Sequence, residues 1–190
     1  RGPAEWFAAA HQVGLGTELE LWAVRRACER SAALPDDGFM AVNVSPRTAE
    51  RADLLGVLAA AQVDHVVLEV TEHERVEDYP RLRIAIRRVR ELGARLAIDD
   101  AGAGFASWRH VLELDADLIK LDGALTKAVD LDPRRRSLAA ALVDFGHEAG
   151  AAVLAEQIES EPQLAELQRL GIRYGQGYHL GRPQPNPVAA

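Results

Sequence analysis

Six short apolar runs, each closing on a polar or ionisable residue, constrain this fold more than any other feature of the chain. They read AVNVS (Ala41–Ser45), VVLEVTE (Val66–Glu72), LAIDD (Leu96–Asp100), LIKLD (Leu118–Asp122), VLAEQIE (Val153–Glu159) and YGQGYHL (Tyr174–Leu180). Segments with helical periodicity separate most of them. Runs of this length rich in Val, Ile and Leu mark strands buried on both faces of a parallel sheet. Their C-terminal ends would then gather carboxylates, an amide and a lysine on one rim, the rim on which β/α barrels carry their chemistry.

The intervening segments predict helices. Pro3–Leu15 carries Trp6, Phe7, Ala10 and Val13 on one side. Thr17–Ala33 follows, with Thr17 as cap, Glu20 three residues on, and Leu21, Val24 and Cys28 along a face. Pro35 to Gly38 reads as a turn, and Ser45-Pro46 opens a helix through Ala61. Pro80–Leu92 has an apolar stripe of Leu82, Ile86 and Val89, ended by Gly93. Further helices are expected over Ser107–Leu114, over Arg134–Glu148 with Leu138, Ala141, Leu142 and Phe145 inward, and over Glu161–Leu170. Gly146 reads as a small helix penalty. The tail from Gly181, rich in proline, reads as irregular over 183–190.

This alternation predicts one α/β domain over 1–190, a TIM-like (β/α) barrel. A closed barrel of this kind uses eight strands and six are recognisable, so the expectation is an N-terminally incomplete barrel whose first strands lie upstream of Arg1. An open doubly wound sheet accommodates six, but binds ligand through only a few strand ends. Here all six ends carry chemistry.

Composition excludes several classes. The chain has 190 residues, 22 Lys+Arg against 29 Asp+Glu and a net charge of −7. That balance argues against a dedicated DNA binder, which needs a basic stripe. With Cys28 as its only cysteine, it has neither a disulfide framework nor a cysteine zinc site, and cytoplasm is the expected compartment. No run approaches the ~20 apolar residues that span a bilayer, so no membrane contact is expected of this domain.

Asn43, Glu69, Asp99 and Asp100 are oxygen donors suited to a hard divalent cation, Mg²⁺ or Mn²⁺. A carboxylate-rich site holds two such ions about 4 Å apart in phosphodiester hydrolysis. Lys120 is placed to neutralise phosphate or orient an attacking water. Glu156, at the end of its own strand, is a candidate general base or second-metal ligand. Each residue also has a bland reading. Asp99-Asp100 before Gly102-x-Gly104 fits a capped turn, Asn43 a cap, Glu69 and Glu72 solvated strand ends, Lys120 a salt-bridge partner, and Gln176-Gly177 a bend. The six histidines show no metal spacing, Arg134–Arg136 reads as a solvated helix start, and Trp6, Trp22 and Trp108 read as packing.

The order NVS, E-V-T-E, DD-x-G-x-G, K-L-D, AE-x-I-E and QGY, from about Pro3 through Pro185, resembles the EAL domain, the bacterial phosphodiesterase of cyclic di-GMP. The resemblance implies metal-dependent hydrolysis of cyclic di-GMP to the linear dinucleotide pGpG. It assigns metal binding to Asn43, Glu69, Asp99 and Asp100, and service to the attacking water to Lys120 and Glu156. It also puts Gln176 at the site and makes Glu72 a brace for the loop after Asp100. A homodimer through that loop and its following helix is implied, as are upstream sensor or regulatory domains.

The sequence departs from the family pattern in three places. The Glu-Ala-Leu segment, which supplies a metal-binding glutamate, is absent from this chain. The loop usually written DDFGTG is Asp99-Asp100-Ala101-Gly102-Ala103-Gly104, and Gln157 replaces a glycine. These departures keep a second reading open: a degenerate, inactive module that binds cyclic di-GMP or a protein partner. A metal-assisted enolate-forming barrel enzyme is a third, opposed by the NVS and QGY matches.

Overall fold

The computed structural model describes residues 2–35, 38–70, 76–101 and 105–183, with the backbone alone for 105–108. Two compact units meet in sequence at Leu96 and Ala97.

The first unit contains α1 (Pro3–Gln12), α2 (Gly16–Ser31), β1 (Met40–Val44), α3 (Pro46–Ala49), α4 (Ala52–Ala59), β2 (Val66–Val70) and α5 (Tyr79–Glu91). β1 and β2 pair in parallel from Met40↔Val66 to Val44↔Val70. Every residue of β2 is buried, as a strand packed on both faces requires. Leu54 and Leu58 of α4 and Leu82, Ile86 and Val89 of α5 complete the core. Asp78 caps α5 by accepting from the Arg81 N–H at 3.0 Å, Pro80 sits in its first turn, and Gly93 ends it at φ +102°.

Three expectations for this unit are corrected. Thr17 is not a cap: α2 starts at Gly16 and its N-cap Leu15 makes no side-chain capping bond. Glu20 instead turns inward to Ser45. The single helix expected from Pro46 through Ala61 is two, because Arg51 adopts an extended backbone (ψ 138°) and starts α4 afresh. Trp6, read as packing, is 57% exposed, and no residue of α1 is buried.

The second unit takes β3 (Arg95–Ala101) from Ala97 on, then α6 (Phe105–Leu114), β4 (Leu118–Leu121), α7 (Gly123–Thr126), α8 (Pro133–Ala149), β5 (Ala152–Ala155), α9 (Glu161–Arg169) and β6 (Tyr174–Gly175). β3, β4, β5 and β6 pair in that order, all parallel. Asp132 caps α8 through the Arg134 N–H at 2.9 Å, and Gly150 closes it in the left-handed region. The inward side of α8 is Ala139, Leu142 and Gly146; of the expected stripe only Leu142 is buried, and Leu138 is 52% exposed. Gly146 is a packing requirement, since a β-carbon there would collide with Val153. β6 is only two residues long, shorter than the run that predicts it. No helix among the described residues is long and apolar enough to cross a membrane.

Candidate active site

The site begins with a bulge. Ile98 pairs with Ile119 and Ala101 with Leu121, so both Asp99 and Asp100 stand opposite the single residue Lys120. In a regular strand two consecutive side chains point to opposite faces. A bulge breaks that alternation and re-aims one of them. Asp100 absorbs the irregularity at φ 53°, a conformation that aspartate tolerates better than most residues. The outcome is that oxygens of Asp99, Asp100 and Glu156 all lie within 4.8 Å of one another.

Lys120 binds this cluster together. Its Nζ donates to Asp99 Oδ1 at 2.7 Å and lies 2.9 Å from Glu156 Oε1. The lysine side chain is only 6% exposed, a degree of burial that a cation tolerates only when paired. Burial pushes the Glu156 carboxyl above the ordinary glutamate range. Lys120 opposes that rise, and the charges of Asp99 and Asp100 add to it. The Asp100 N–H donates to Asp99 Oδ1 at 3.1 Å, which fixes the first carboxylate at the bulge.

The segment after β5 carries Glu156. Its carbonyl accepts from Thr126 Oγ1 at 2.6 Å, and Gln157, the next residue, sits at φ 54°. Glu156, Gln176, Tyr178 and Arg182 border a cavity of about 840 Å³, within the range of small-molecule sites. The Arg182 guanidinium lies 4.5 Å from the centre of the Tyr178 ring. Gly177 is held backbone to backbone against Ile158, where a β-carbon would clash. A larger groove, about 940 Å³ between α2 and α4, has Arg25, Glu29 and Asp53 on its walls but none of the clustered Asp99, Asp100 and Glu156. The smaller cavity is the one with a member of the carboxylate cluster, Glu156, on its wall.

In the first unit, Asn43 and Glu69 are register partners; Glu69 is buried and Asn43 exposed. Glu20, 4% exposed, accepts from the Ser45 backbone N–H at 2.8 Å and from Ser45 Oγ at 2.9 Å. Ser45 Oγ in turn accepts from the Thr48 N–H at 3.2 Å and starts α3. His11 Nε2 reaches the other Glu20 oxygen at 3.2 Å. Glu72 lies outside the described residues.

Sequence reasoning missed Gln163 and Thr126, both buried beside Glu156. The signal for Gln163 was present, because Ser160-Glu161-Pro162-Gln163 has capping-box spacing.

The model of the "EAL domain" family matches residues 2–183 of this chain. Cyclic di-GMP phosphodiesterase PdeF from Escherichia coli K12 is 30% identical over 193 residues, 96% of this chain and 26% of that protein. Cyclic di-GMP phosphodiesterase PdeB from Shewanella oneidensis is 30% identical over 192 residues, 96% of this chain and 22% of that protein. The chain thus spans about a quarter of the length of these curated relatives. Among solved structures, the PaMucR phosphodiesterase in complex with c-di-GMP superposes with a TM-score of 0.83 at 28% identity, over 96% of this chain and 84% of that one. Klebsiella pneumoniae BlrP1 with manganese and cy-diGMP gives 0.80 at 28% identity, over 93% of this chain and 47% of that one. The chain belongs to the EAL domain family and has its TIM-like β/α fold.

Proposed function

We propose that this chain hydrolyses cyclic di-GMP to linear pGpG with Mg²⁺ or Mn²⁺, in two-ion fashion, at the cluster of Asp99, Asp100, Lys120 and Glu156. The observation that carries this reading is the bulge that turns two consecutive aspartates toward one buried lysine and one glutamate. The donor set fits hard divalent cations: three part-buried carboxylates with oxygens within 4.8 Å of one another. When bound, such ions supply charge neutralisation at the phosphate. Asp99 and Asp100 would hold them, with Asn43 and Glu69 assigned the same role by the family pattern and Glu72 assigned to brace the loop.

In this reading Glu156 accepts the proton of the attacking water as the new O–P bond forms. The P–O3′ bond breaks, and the departing 3′ oxygen takes a proton from solvent, which leaves a 5′-phosphate and a 3′-hydroxyl. Burial raises the affinity of Glu156 for protons, which strengthens it as a general base. Lys120 keeps that carboxylate in place and presents its positive charge to phosphate or water. Gln176, at the cavity edge, contacts the substrate. The proposal extends to a cytoplasmic, homodimeric protein whose EAL domain serves second-messenger signalling beneath sensor or regulatory domains.

A cyclic di-GMP receptor without hydrolysis is the second reading. Gln157 favours it, because a left-handed backbone with a side chain next to Glu156 replaces the glycine of the family pattern. Incubation with cyclic di-GMP and Mn²⁺, followed by chromatography for pGpG, separates the two. Product that disappears in Glu156→Ala supports the phosphodiesterase. Product from both proteins removes Glu156 as base. Calorimetric binding without product selects the receptor.

A further inference from the structure

The segment Glu156–Glu159 leaves β5 and reaches α9 with backbone bonds at two of its residues: the Glu156 N–H donates to the Leu121 carbonyl at 3.3 Å, and Ile158 donates to the Gln176 carbonyl and accepts from the His179 N–H, both at 3.0 Å. Gln157 holds a left-handed conformation there, which L side chains resist, so something outside the segment has to restrain it. Two buried polar side chains do so. Gln163, 5% exposed, commits both ends of its amide to the loop. Its Nε2 donates to the carbonyl of Gln157 at 3.1 Å and to that of Thr126 at 3.2 Å, while Oε1 accepts from the Glu159 N–H at 2.9 Å. Two carbonyls on one side and an N–H on the other allow only one orientation of the amide. Thr126, fully buried, donates its hydroxyl to the Glu156 carbonyl at 2.6 Å.

A helix cap needs less than this. In a capping box the N3 side chain returns to the N–H of the N-cap itself, here Ser160. Gln163 instead bonds one residue further upstream and adds two carbonyls, one of them on α7. We propose that Gln163, together with Thr126, is the positioning residue for Glu156, clamping its loop so that the carboxylate stays on Lys120. The proposal rests on the reading of Glu156 as the base, and adds what holds that base in register.

The test uses Gln163→Glu, Gln163→Ala, Thr126→Val and Thr126→Ser in the full chain, with two readouts: Mn²⁺-dependent turnover of cyclic di-GMP and amide exchange along 156–159. Gln163→Glu keeps size but cannot donate to either carbonyl, and Thr126→Val keeps shape without the hydroxyl. Expected is a fall in kcat of about tenfold to a hundredfold for both Gln163 variants with KM within about threefold, as a slight misplacement of a catalytic group produces. Thr126→Val should lose about threefold or more while Thr126→Ser stays near wild type. The Glu159 amide should exchange about tenfold faster in the Gln163 variants while β5 stays protected. Wild-type turnover in Gln163→Glu overturns the proposal. Where the wild-type chain turns over nothing, the phosphodiesterase reading fails and exchange alone decides. Faster loop exchange then upholds the clamp, and unchanged exchange overturns it.

Discussion

Lys120 Nζ lies 2.9 Å from Glu156 Oε1, a contact that ties the end of β4 to the end of β5. The same nitrogen is 2.7 Å from Asp99 Oδ1, so one buried cation compensates two carboxylates, one on β3 and one just past β5. Removing it strips both charges of that counterion in a site that excludes much of the water. Lys120→Met should therefore destabilise the metal-free protein by about 3–5 kcal/mol, as loss of one partner of a buried pair does. It should also abolish turnover. Urea unfolding with and without Mn²⁺ checks this, because bound cations would restore part of the lost compensation.

The pH dependence of stability has a defined sign. Glu156 binds its proton more tightly in the folded protein than in the unfolded chain, chiefly because it is buried. The folded state is therefore favoured by that proton below the ordinary glutamate pKa. This contribution disappears as pH rises through the raised folded value. Each unit of difference is worth about 1.4 kcal/mol. Denaturation of metal-free wild type and Glu156→Gln across this interval should show the wild type losing stability relative to the variant as pH climbs. A flat difference would show that Lys120 cancels the effect of burial.

Gln157 is the residue most out of keeping with its backbone. Its φ of 54° carries a penalty of roughly 1–2 kcal/mol for an L side chain. The greater freedom of glycine in the unfolded chain offsets roughly 0.5–1 kcal/mol of that. Gln157→Gly should thus raise stability by up to about 1 kcal/mol, read as a higher urea midpoint at unchanged slope. The Gln157 amide also covers Gly123, where a β-carbon would strike it. Gly123→Ala should accordingly be better tolerated in the Gln157→Gly background, with a coupling of about 0.5 kcal/mol or more in a double-mutant cycle.

Ser45 does three things at the end of β1. Its backbone N–H and its hydroxyl both donate to Glu20, and its oxygen caps α3. Ser45→Ala removes a cap, worth about 1 kcal/mol, and takes a donor from a buried carboxylate, worth about 1–3 kcal/mol. A loss of about 2–4 kcal/mol by denaturant unfolding is the expected sum of those two terms. Glu20→Gln should cost less, since the amide oxygen still accepts from Ser45.

The strands were legible because burial on both faces writes itself as an uninterrupted apolar run, and β2, buried at all five positions, is the clearest case. β6 was overextended because its run continues past Gly175 into a turn, where Gly177 packs on the Ile158 backbone. The break between α3 and α4 left no mark: no glycine or proline stands at Glu50-Arg51, and the apolar pattern continues through it. α7 is four residues long, started by Asp122 accepting from the Ala124 N–H at 2.8 Å, too short for periodicity to register. Asp99, Asp100, Lys120 and Glu156 were named from residue type and strand-end position. The bulge that unites them was not, since Ile98 to Ala101 reads like any strand end. The capping-box spacing from Ser160 marks Gln163 as a helix-start residue, but its bonds to Gln157 and Thr126 lie in other segments and leave no local signal.

The carboxylate cluster itself gives the last prediction. Three part-buried acids with oxygens within 4.8 Å of one another repel each other, and Lys120 neutralises only part of that charge. A divalent cation relieves the remainder, so Mn²⁺ should bind the folded chain in preference to the unfolded one and stabilise it. At a hundredfold excess over Kd the gain is about 2.7 kcal/mol, which a thermal melt resolves as a dose-dependent rise that EDTA reverses. Asp99→Asn and Asp100→Asn should each remove most of that rise, while in the absence of metal they leave the chain as stable or more stable, because each removes a repelling charge. Asp99→Asn also takes the charge out of the bond from Lys120, so the metal-free gain should be larger for Asp100→Asn. A Mn²⁺ shift that survives both substitutions would place the ion elsewhere.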